Sequence, residues 1–337
     1  MNYETLRLEK GMYSVPGKSF TQVLESLDPS ENYKGSSLEG LDAYQRQLKR
    51  FDIKVAGRNS DALQKFFQTS DSTALFPEYI SRAVYQGMEE VDVLSDIVAA
   101  TTKIDSLDYR AICSIPSDDD KEMKQVDEGG DIPSTAVKLQ ENLVTLKKRG
   151  RLLEASYEAI RFQKLDVFTV TLRQIGAYLA KTLLTDAVTI LKDGDGNSNP
   201  ATVTNVASAG KLTYTDLLTL WSKFESYEMN TMLVAPDVML KMLEIEEFKN
   251  PLTGLNFQGT GRLTTPLGAT LIKTSSVPTG YIIGLDKRCA LERVIAADVS
   301  VEYDKLIDKQ LERAAITTIT GFTKIFKDAC QVLKVNA

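Results

Sequence analysis

The sequence predicts an α+β protein, because helical and strand-like patterns follow one another along the chain without an internal repeat. The clearest helix is predicted over 166–192, where apolar residues recur at steps of three and four. The clearest strand is predicted over 314–326, a run rich in Thr and Ile. Between these two, short strands and helices are predicted to form a compact module over 196–290.

The composition excludes several classes of protein. The 337 residues carry a net charge of −6, whereas a protein that coats nucleic acid relies on an excess of Lys and Arg. The chain contains no histidine, which excludes Ser-His-Asp and Cys-His catalysis and every His-ligated metal site. The three cysteines, Cys113, Cys289 and Cys330, form no CxxC pair. We therefore expect no catalytic residue, no cofactor and no metal, and folding in a reducing compartment.

The N-terminal residues 1–72 are predicted to form a polar, weakly patterned arm with short amphipathic pieces at 20–27 and 38–51. The arm lacks the apolar run of a signal peptide. No stretch of the chain approaches the ~20 apolar residues of a membrane-spanning helix, so we expect no membrane partner. After the arm, a helix is predicted to begin near Pro77, since proline suits the first turn. Gly87 is expected to weaken this helix mildly.

Residues 109–152 are predicted to form a long two-stranded projection with an acidic tip and a basic root. An isolated hairpin is barely stable in water, so the projection is expected to lie on another surface. The tip also carries Asp131, Lys121 and Lys124, and the candidate contact residues are Asp118, Asp119, Asp120, Glu122, Asp127 and Glu128 at the tip, and Lys147, Lys148, Arg149 and Arg151 at the root.

The helix over 166–192 is followed by the turn 193–198, DGDGNS, which imitates the start of a calcium-binding loop. Its sixth position is Ser198 instead of Gly and its twelfth is Thr204 instead of Glu. We therefore expect a turn in which Gly194 ends the helix. In the module that follows, a helix is predicted over 213–227, and Trp221 is expected to fill the core.

The order of these parts resembles the Hong Kong 97-type capsid fold of tailed bacteriophages, over about residues 73–335. The stretch GGDIPSTAVKLQENLVTLKKRGRLLEASYEAIRF resembles the descending limb of the family's extended loop and its entry into the spine helix. The stretches MLVAPDVMLKML, PLGATLIKTSSVP and YIIGLDKRCALE resemble the axial domain. The stretch AADVSVEYDKLIDKQLERAAITTITGF resembles the closing peripheral segment.

This resemblance implies a fold with a peripheral domain, an axial domain, an extended loop, a spine helix and an N-terminal arm. The implied division is 1–72 for the arm, 73–108 for the first part of the peripheral domain, 109–152 for the extended loop, 153–195 for the peripheral domain with the spine helix, 196–292 for the axial domain and 293–337 for the closing peripheral β-segment.

The function implied by the resemblance is structural. The chain would associate with itself into homo-hexamers and homo-pentamers of an icosahedral shell, which encloses the phage DNA without binding it strongly. The extended loop would lie across an adjacent subunit, where its acids contact basic residues such as those at 147–151. A cation site, a catalytic carboxylate cluster or plain solvated charge are the other interpretations of these acids.

Further partners implied by the resemblance are a separate scaffolding protein, a portal protein and a decoration protein. The arm is short, so we expect an uncleaved chain. Residues 298–320 contain no asparagine, which argues against the covalent isopeptide cross-link of some members. The expected location is the virion capsid, after assembly in the cytoplasm of the bacterial host.

Two alternative functions stay open from the sequence: an encapsulin-type compartment shell of the same fold, and a carboxylate-based hydrolase.

Overall fold

The computed structural model describes residues 3–15, 17–113, 125–126, 138–249, 266–306 and 308–335. The chain divides into two compact units, each built from three separate segments. The first unit comprises Met1–Val91, Arg149–Leu179 and Asp298–Thr318, and the second comprises Asp92–Lys148, Ala180–Ala297 and Ile319–Ala337.

The helices follow the predicted periodicity closely. The helix expected near Pro77 has this proline in its first turn, and the long predicted helix ends just before Gly194, whose φ is 84°. Both predictions are confirmed. The α-helices are α1 Phe20–Leu27, α2 Ala43–Arg50, α3 Ser70–Ala74, α4 Phe76–Glu89, α5 Tyr157–Phe162, α6 Leu165–Asp193, α7 Tyr214–Ser222, α8 Pro236–Leu243 and α9 Glu246–Lys249.

The strands form three sheets, with the orders β1-β9-β10-β4, β5-β11-β8-β6-β7 and β2-β3. The predicted closing strand is confirmed as β10. The strands are β1 Ala100–Lys103, β2 Ile112–Cys113, β3 Lys138–Leu139, β4 Lys147–Ser156, β5 Thr202–Asn205, β6 Thr231–Val234, β7 Thr270–Lys273, β8 Tyr281–Leu285, β9 Leu291–Leu306, β10 Leu311–Lys324 and β11 Cys330–Lys334.

The first unit has a core to which the N-terminal residues contribute heavily. The sequence predicted a weakly patterned arm over 1–72, yet Leu24 and Phe66 are fully buried in this core. The guanidinium of Arg46, also fully buried, donates to Asp28 Oδ2 at 2.8 Å and to Leu41 O at 2.7 Å. A buried charge is tolerated only when it is paired and hydrogen-bonded, so these contacts make the N-terminal residues an integral part of the first unit.

Helices α4 and α6 cross at two glycines. A Cβ atom at Gly87 would lie 2.0 Å from Arg173 O, and one at Gly176 would lie 2.0 Å from Val84 O. Only glycine allows two backbones to approach this closely. The sequence predicted Gly87 to be a mild weakness of its helix, whereas the structure makes it a requirement of the helix crossing.

The first-unit parts of β9, β10 and β4 form a sheet with one covered face. Along β10, buried and half-buried residues alternate, as expected when one face packs on a core. Ala314 and Ile316 point into the core. On the opposite face, Ser300 and Thr317 place their hydroxyl oxygens 3.0 Å apart. On this opposite face the side chains of β10 are half-buried and those of β9 at 298, 300, 302 and 304 are exposed.

The five-stranded sheet lies in the second unit, and its central strands β11, β8 and β6 are covered on both faces. Every residue of β6 is buried, as are the last four residues of β8. β6 and β7 are parallel, whereas β8 is antiparallel to both β6 and β11. The C-terminal half of α6 lies against β11, where Cys330 Sγ donates to Leu191 O at 3.5 Å.

Two predictions for this second unit are wrong. The helix predicted over 213–227 ends at Ser222. Its Trp221, expected in the core, is 51 % exposed. Leu217 and Leu220 supply the buried side of α7, and Trp221, about 100° around the helix from Leu220, lies at the edge of that side. The six-part division of the chain into arm, loop and domains stays a prediction.

Candidate assembly surfaces

The root of the projection predicted over 109–152 is built from paired strands. β2 and β3 are antiparallel, with Ile112 opposite Leu139. Further along the same limbs, Val144 N donates to Tyr109 O at 2.9 Å. The pairing therefore brings both limbs of the predicted projection together at its root.

The predicted basic residues lie on β4, where successive side chains point to opposite faces. Lys147 Nζ binds Asp186 Oδ1 at 2.8 Å, so this charge is already compensated within the subunit. Arg149 is half-buried. Lys148 and Arg151 are exposed, and neither side chain has a hydrogen bond or ion pair with the part of the chain that the structure describes. Two of the four bases are therefore free to bind a partner.

The predicted acidic residues at the tip lie outside the described residues. They are Asp118, Asp119, Asp120, Glu122, Asp127 and Glu128.

An apolar surface at the loop root was missed by the sequence reasoning. The directly opposed side chains Ile112 and Leu139 are 57 % and 65 % exposed. In the sequence, Arg110 and Ser114 stand two residues to either side of Ile112, and an isoleucine between two polar residues of the same strand face was the signal for this surface. Exposed apolar side chains that lie together mark interaction sites.

Helix α6 exposes a second apolar surface in the first unit. Val167 and Val170 are 53 % and 64 % exposed, and Tyr178 lies further along at 55 %. The predicted buried stripe of this helix is confirmed, since Leu165 and Leu172 are fully buried. Val167 and Val170 lie outside that buried stripe in the sequence, and apolar residues at such positions indicate an apolar face that is exposed.

Two helices of the second unit also expose large apolar side chains. Leu218 and Trp221 on α7 are 38 % and 51 % exposed, and Leu240 on α8 is 66 % exposed. Large apolar side chains of this kind, tryptophan above all, are typical of protein–protein contacts.

The turn after α6 is not a calcium site. The Asp195 carboxylate accepts hydrogen bonds from Thr323 Oγ1 at 2.7 Å, Lys324 N at 3.0 Å and Asn197 Nδ2 at 3.0 Å. Burial alone would raise the pKa of this carboxyl, but the hydrogen bonds outweigh burial and lower it. A carboxylate surrounded by donors is satisfied without a cation.

The described residues contain no group of three or more His, Cys, Asp or Glu side chains that could hold a metal ion. Within the same ranges, no helix is long and apolar enough to span a membrane.

The family comparison identifies the chain. The model of a phage capsid protein family matches residues 140–321, which is more than half of the 337-residue chain. No curated protein matches the chain.

Solved structures share the fold at low sequence identity. The virus-like particle of Pyrococcus furiosus is 14% identical with a TM-score of 0.52, over 77% of this chain and 99% of that one. The capsid of a native GTA particle is 12% identical with a TM-score of 0.55, over 72% and 90%. The capsid of cyanophage P-SCSP1u is 16% identical with a TM-score of 0.51, over 72% and 88%.

These similarities establish the fold, and the family match establishes what kind of protein carries it. Capsid proteins of this family are structural proteins and are not enzymes. The chain belongs to the phage capsid protein family, and it is a structural major capsid protein of the virion with the Hong Kong 97-type α+β fold.

Proposed function

We propose that this capsid protein assembles into hexamers and pentamers of an icosahedral shell that encloses the phage genome, with the extended loop of each subunit lying across its neighbour. The observation that carries the proposal is the uncovered surface at the loop root, where Ile112 and Leu139 face solvent side by side. A two-stranded hairpin is barely stable in water. A neighbouring subunit would remove this apolar pair from water and so stabilise both the loop and the shell.

The charges of the loop would fix how neighbours dock. The exposed bases Lys148 and Arg151, which point to opposite faces of β4, are complementary in charge to the acidic run Asp118–Asp120 of neighbouring subunits' loops. Each exposed pair contributes only about 0–1 kcal/mol. Repetition of the same pair over a closed shell makes the sum large, and complementary charges also set the register of docking.

Electron microscopy of the recombinant protein tests the shell itself. We expect closed particles or rings with six-fold symmetry when the protein is produced together with the scaffolding protein of the same phage. A protein that stays monomeric at high concentration, with and without the scaffold, would contradict the proposal. Particles that contain an enzyme cargo in place of DNA would favour the encapsulin-type compartment.

Charge reversal tests the ionic contact. The variant Lys148→Glu/Arg151→Glu is expected to lower the yield of closed particles several-fold, because like charges would then face each other. Adding Asp118→Lys/Asp119→Lys should restore the yield. The control reverses two other exposed lysines, Lys211→Glu/Lys223→Glu, and should assemble normally. Failure of the compensating pair to restore assembly would exclude these acids as the partner.

The remaining partners follow from the same proposal. A separate scaffolding protein would guide assembly in the cytoplasm of the bacterial host, a portal protein would occupy one vertex, and a decoration protein would bind the outer surface. The net charge of −6 supports a shell protein that encloses DNA without binding it strongly. The purified subunit should therefore show no DNA binding at physiological salt, measured by fluorescence anisotropy.

A further inference from the structure

A buried glutamine joins the extended loop to the second unit. Gln140 follows β3 and is 3 % exposed. Its Oε1 accepts from Thr323 Oγ1 at 3.1 Å and from Asn197 Nδ2 at 3.0 Å. Its Nε2 donates to Asp195 Oδ2 and to Lys324 O, both at 3.3 Å. A single carboxamide therefore connects the loop limb, the turn after α6 and the closing strand β10.

The next residues of the limb are held at two more points. Asn142 N donates to Asn197 Oδ1 at 3.0 Å, and Asn142 Nδ2 donates to Gly196 O at 2.8 Å. A Cβ atom at Gly321 of β10 would lie 2.9 Å from Thr145 O. Glycine thus lets the limb lie directly on β10, and the limb is held at positions 140, 142 and 145.

The surface that holds the limb is itself rigid. Lys324 is fully buried, and its Nζ donates to Leu191 O at 3.0 Å and to Asn199 O at 3.2 Å. These bonds fix β10 to the end of α6. Buried polar groups that are all hydrogen-bonded specify one arrangement, because any other arrangement leaves some of them unsatisfied.

We propose that Gln140 and Asn142 are positioning residues for shell assembly, which fix the direction in which the descending limb of the extended loop leaves the subunit. The inference rests on the proposed function, in which the loop lies across a neighbour. A small rotation at the root displaces the far end of a long loop by many ångströms. The angle set at Gln140 therefore decides whether neighbours meet at the spacing that closes a shell.

The same unit contains a matched polar cluster that holds no part of the loop. Asp286 is 1 % exposed and accepts from Asn230 Nδ2 at 2.7 Å and from Arg288 Nε at 3.0 Å. Asn230 Oδ1 also accepts from Lys287 N at 2.9 Å. Damage to this cluster lowers the stability of the second unit without releasing the limb, so it separates positioning from plain stability.

The test compares Gln140→Leu and Asn142→Ala with Asn230→Ala. Hydrogen exchange of the unassembled subunit reports on the limb through two amides, Gln140 N bonded to Ala111 O and Val144 N bonded to Tyr109 O. We expect both loop variants to raise exchange at these amides at least tenfold, and Asn230→Ala to leave it unchanged. Electron microscopy should then show open or irregular particles for the loop variants and closed shells for Asn230→Ala.

Several outcomes would overturn the inference. Closed shells of normal size from Asn142→Ala, in spite of faster exchange, would show that the root does not set the geometry. Irregular particles from Asn230→Ala would show that lost stability alone explains the defect. If Gln140→Leu does not fold, the Asn142→Ala variant, at an exposed position, still tests whether the root positions the loop. A wild-type protein that forms no shell under any condition would instead contradict the proposed function.

Discussion

Two sheets of this capsid protein are buried in different ways. In the five-stranded sheet, all four residues of β6 are buried. In the first-unit part of the four-stranded sheet, buried residues of β10 alternate with half-buried ones. A strand covered on both faces needs a continuous apolar run, whereas a strand covered on one face needs alternation. The central strands of the first sheet are thus buried within the subunit, and the second sheet presents a face that a neighbouring subunit could cover.

The largest effect is expected in the five-stranded sheet. Leu233→Ala in β6 removes a fully buried side chain and should lower the free energy of unfolding by about 2–5 kcal/mol. The control is Val203→Ala in the edge strand β5, where the side chain is 48 % exposed and the loss should stay below about 1 kcal/mol. Urea denaturation measures both. Equal losses would mean that the two positions are equally buried in solution.

An intermediate effect is expected on the covered face of β10, at Glu312. Burial raises the pKa of this carboxyl from 4.5 to about 7, although Lys10 acts to lower it. Lys305 Nζ lies 3.1 Å from Oε1, and the buried Oε2 has no hydrogen-bond partner among the described residues. The folded state therefore holds the proton more tightly than the unfolded state, and stability should fall as the pH rises from about 4.5 to about 7.

Glu312→Gln should abolish this fall, which we expect to amount to about 1–3 kcal/mol in the wild type. Urea midpoints between pH 4.5 and pH 8 measure it. Parallel pH curves for the two proteins would show that the carboxyl titrates normally.

The smallest effect on the subunit is expected at the face of the four-stranded sheet opposite the core. Leu152 of β4 is 51 % exposed, so Leu152→Ser should change the free energy of unfolding by less than about 0.5 kcal/mol. We nevertheless expect it to reduce the yield of closed particles, since the face would be buried between subunits. A loss of subunit stability as large as that of Leu233→Ala would show that the face is already covered.

Local patterns in the sequence were sufficient to predict most of the regular elements. The long helix, the helix that starts at Pro77 and the closing strand were all predicted within a few residues of their observed bounds. Each depends on side-chain periodicity or on a residue with a fixed backbone preference. These are properties of neighbouring residues, and the sequence displays them directly.

The burial of single residues was harder to predict. Trp221 is the chain's one tryptophan, and its size suggested a core position, but the inner side of α7 is occupied by smaller residues. The sequence suggested that Gly87 weakens its helix, whereas in the structure the backbone of α6 at Arg173 packs directly against this glycine. In both cases the answer depends on which element packs against the residue, and no local pattern contains that information.

The sequence by itself determined the fold class, the long helix and, through the missing histidine, the exclusion of histidine-based chemistry. Only the tertiary structure decided which polar residues act together. Gln140 and Thr323 are 183 positions apart in the chain, yet their side chains are hydrogen-bonded. Periodicity reports on contacts within one element, whereas such a network forms only after distant elements pack, and so the anchoring of the loop became visible only in the folded subunit.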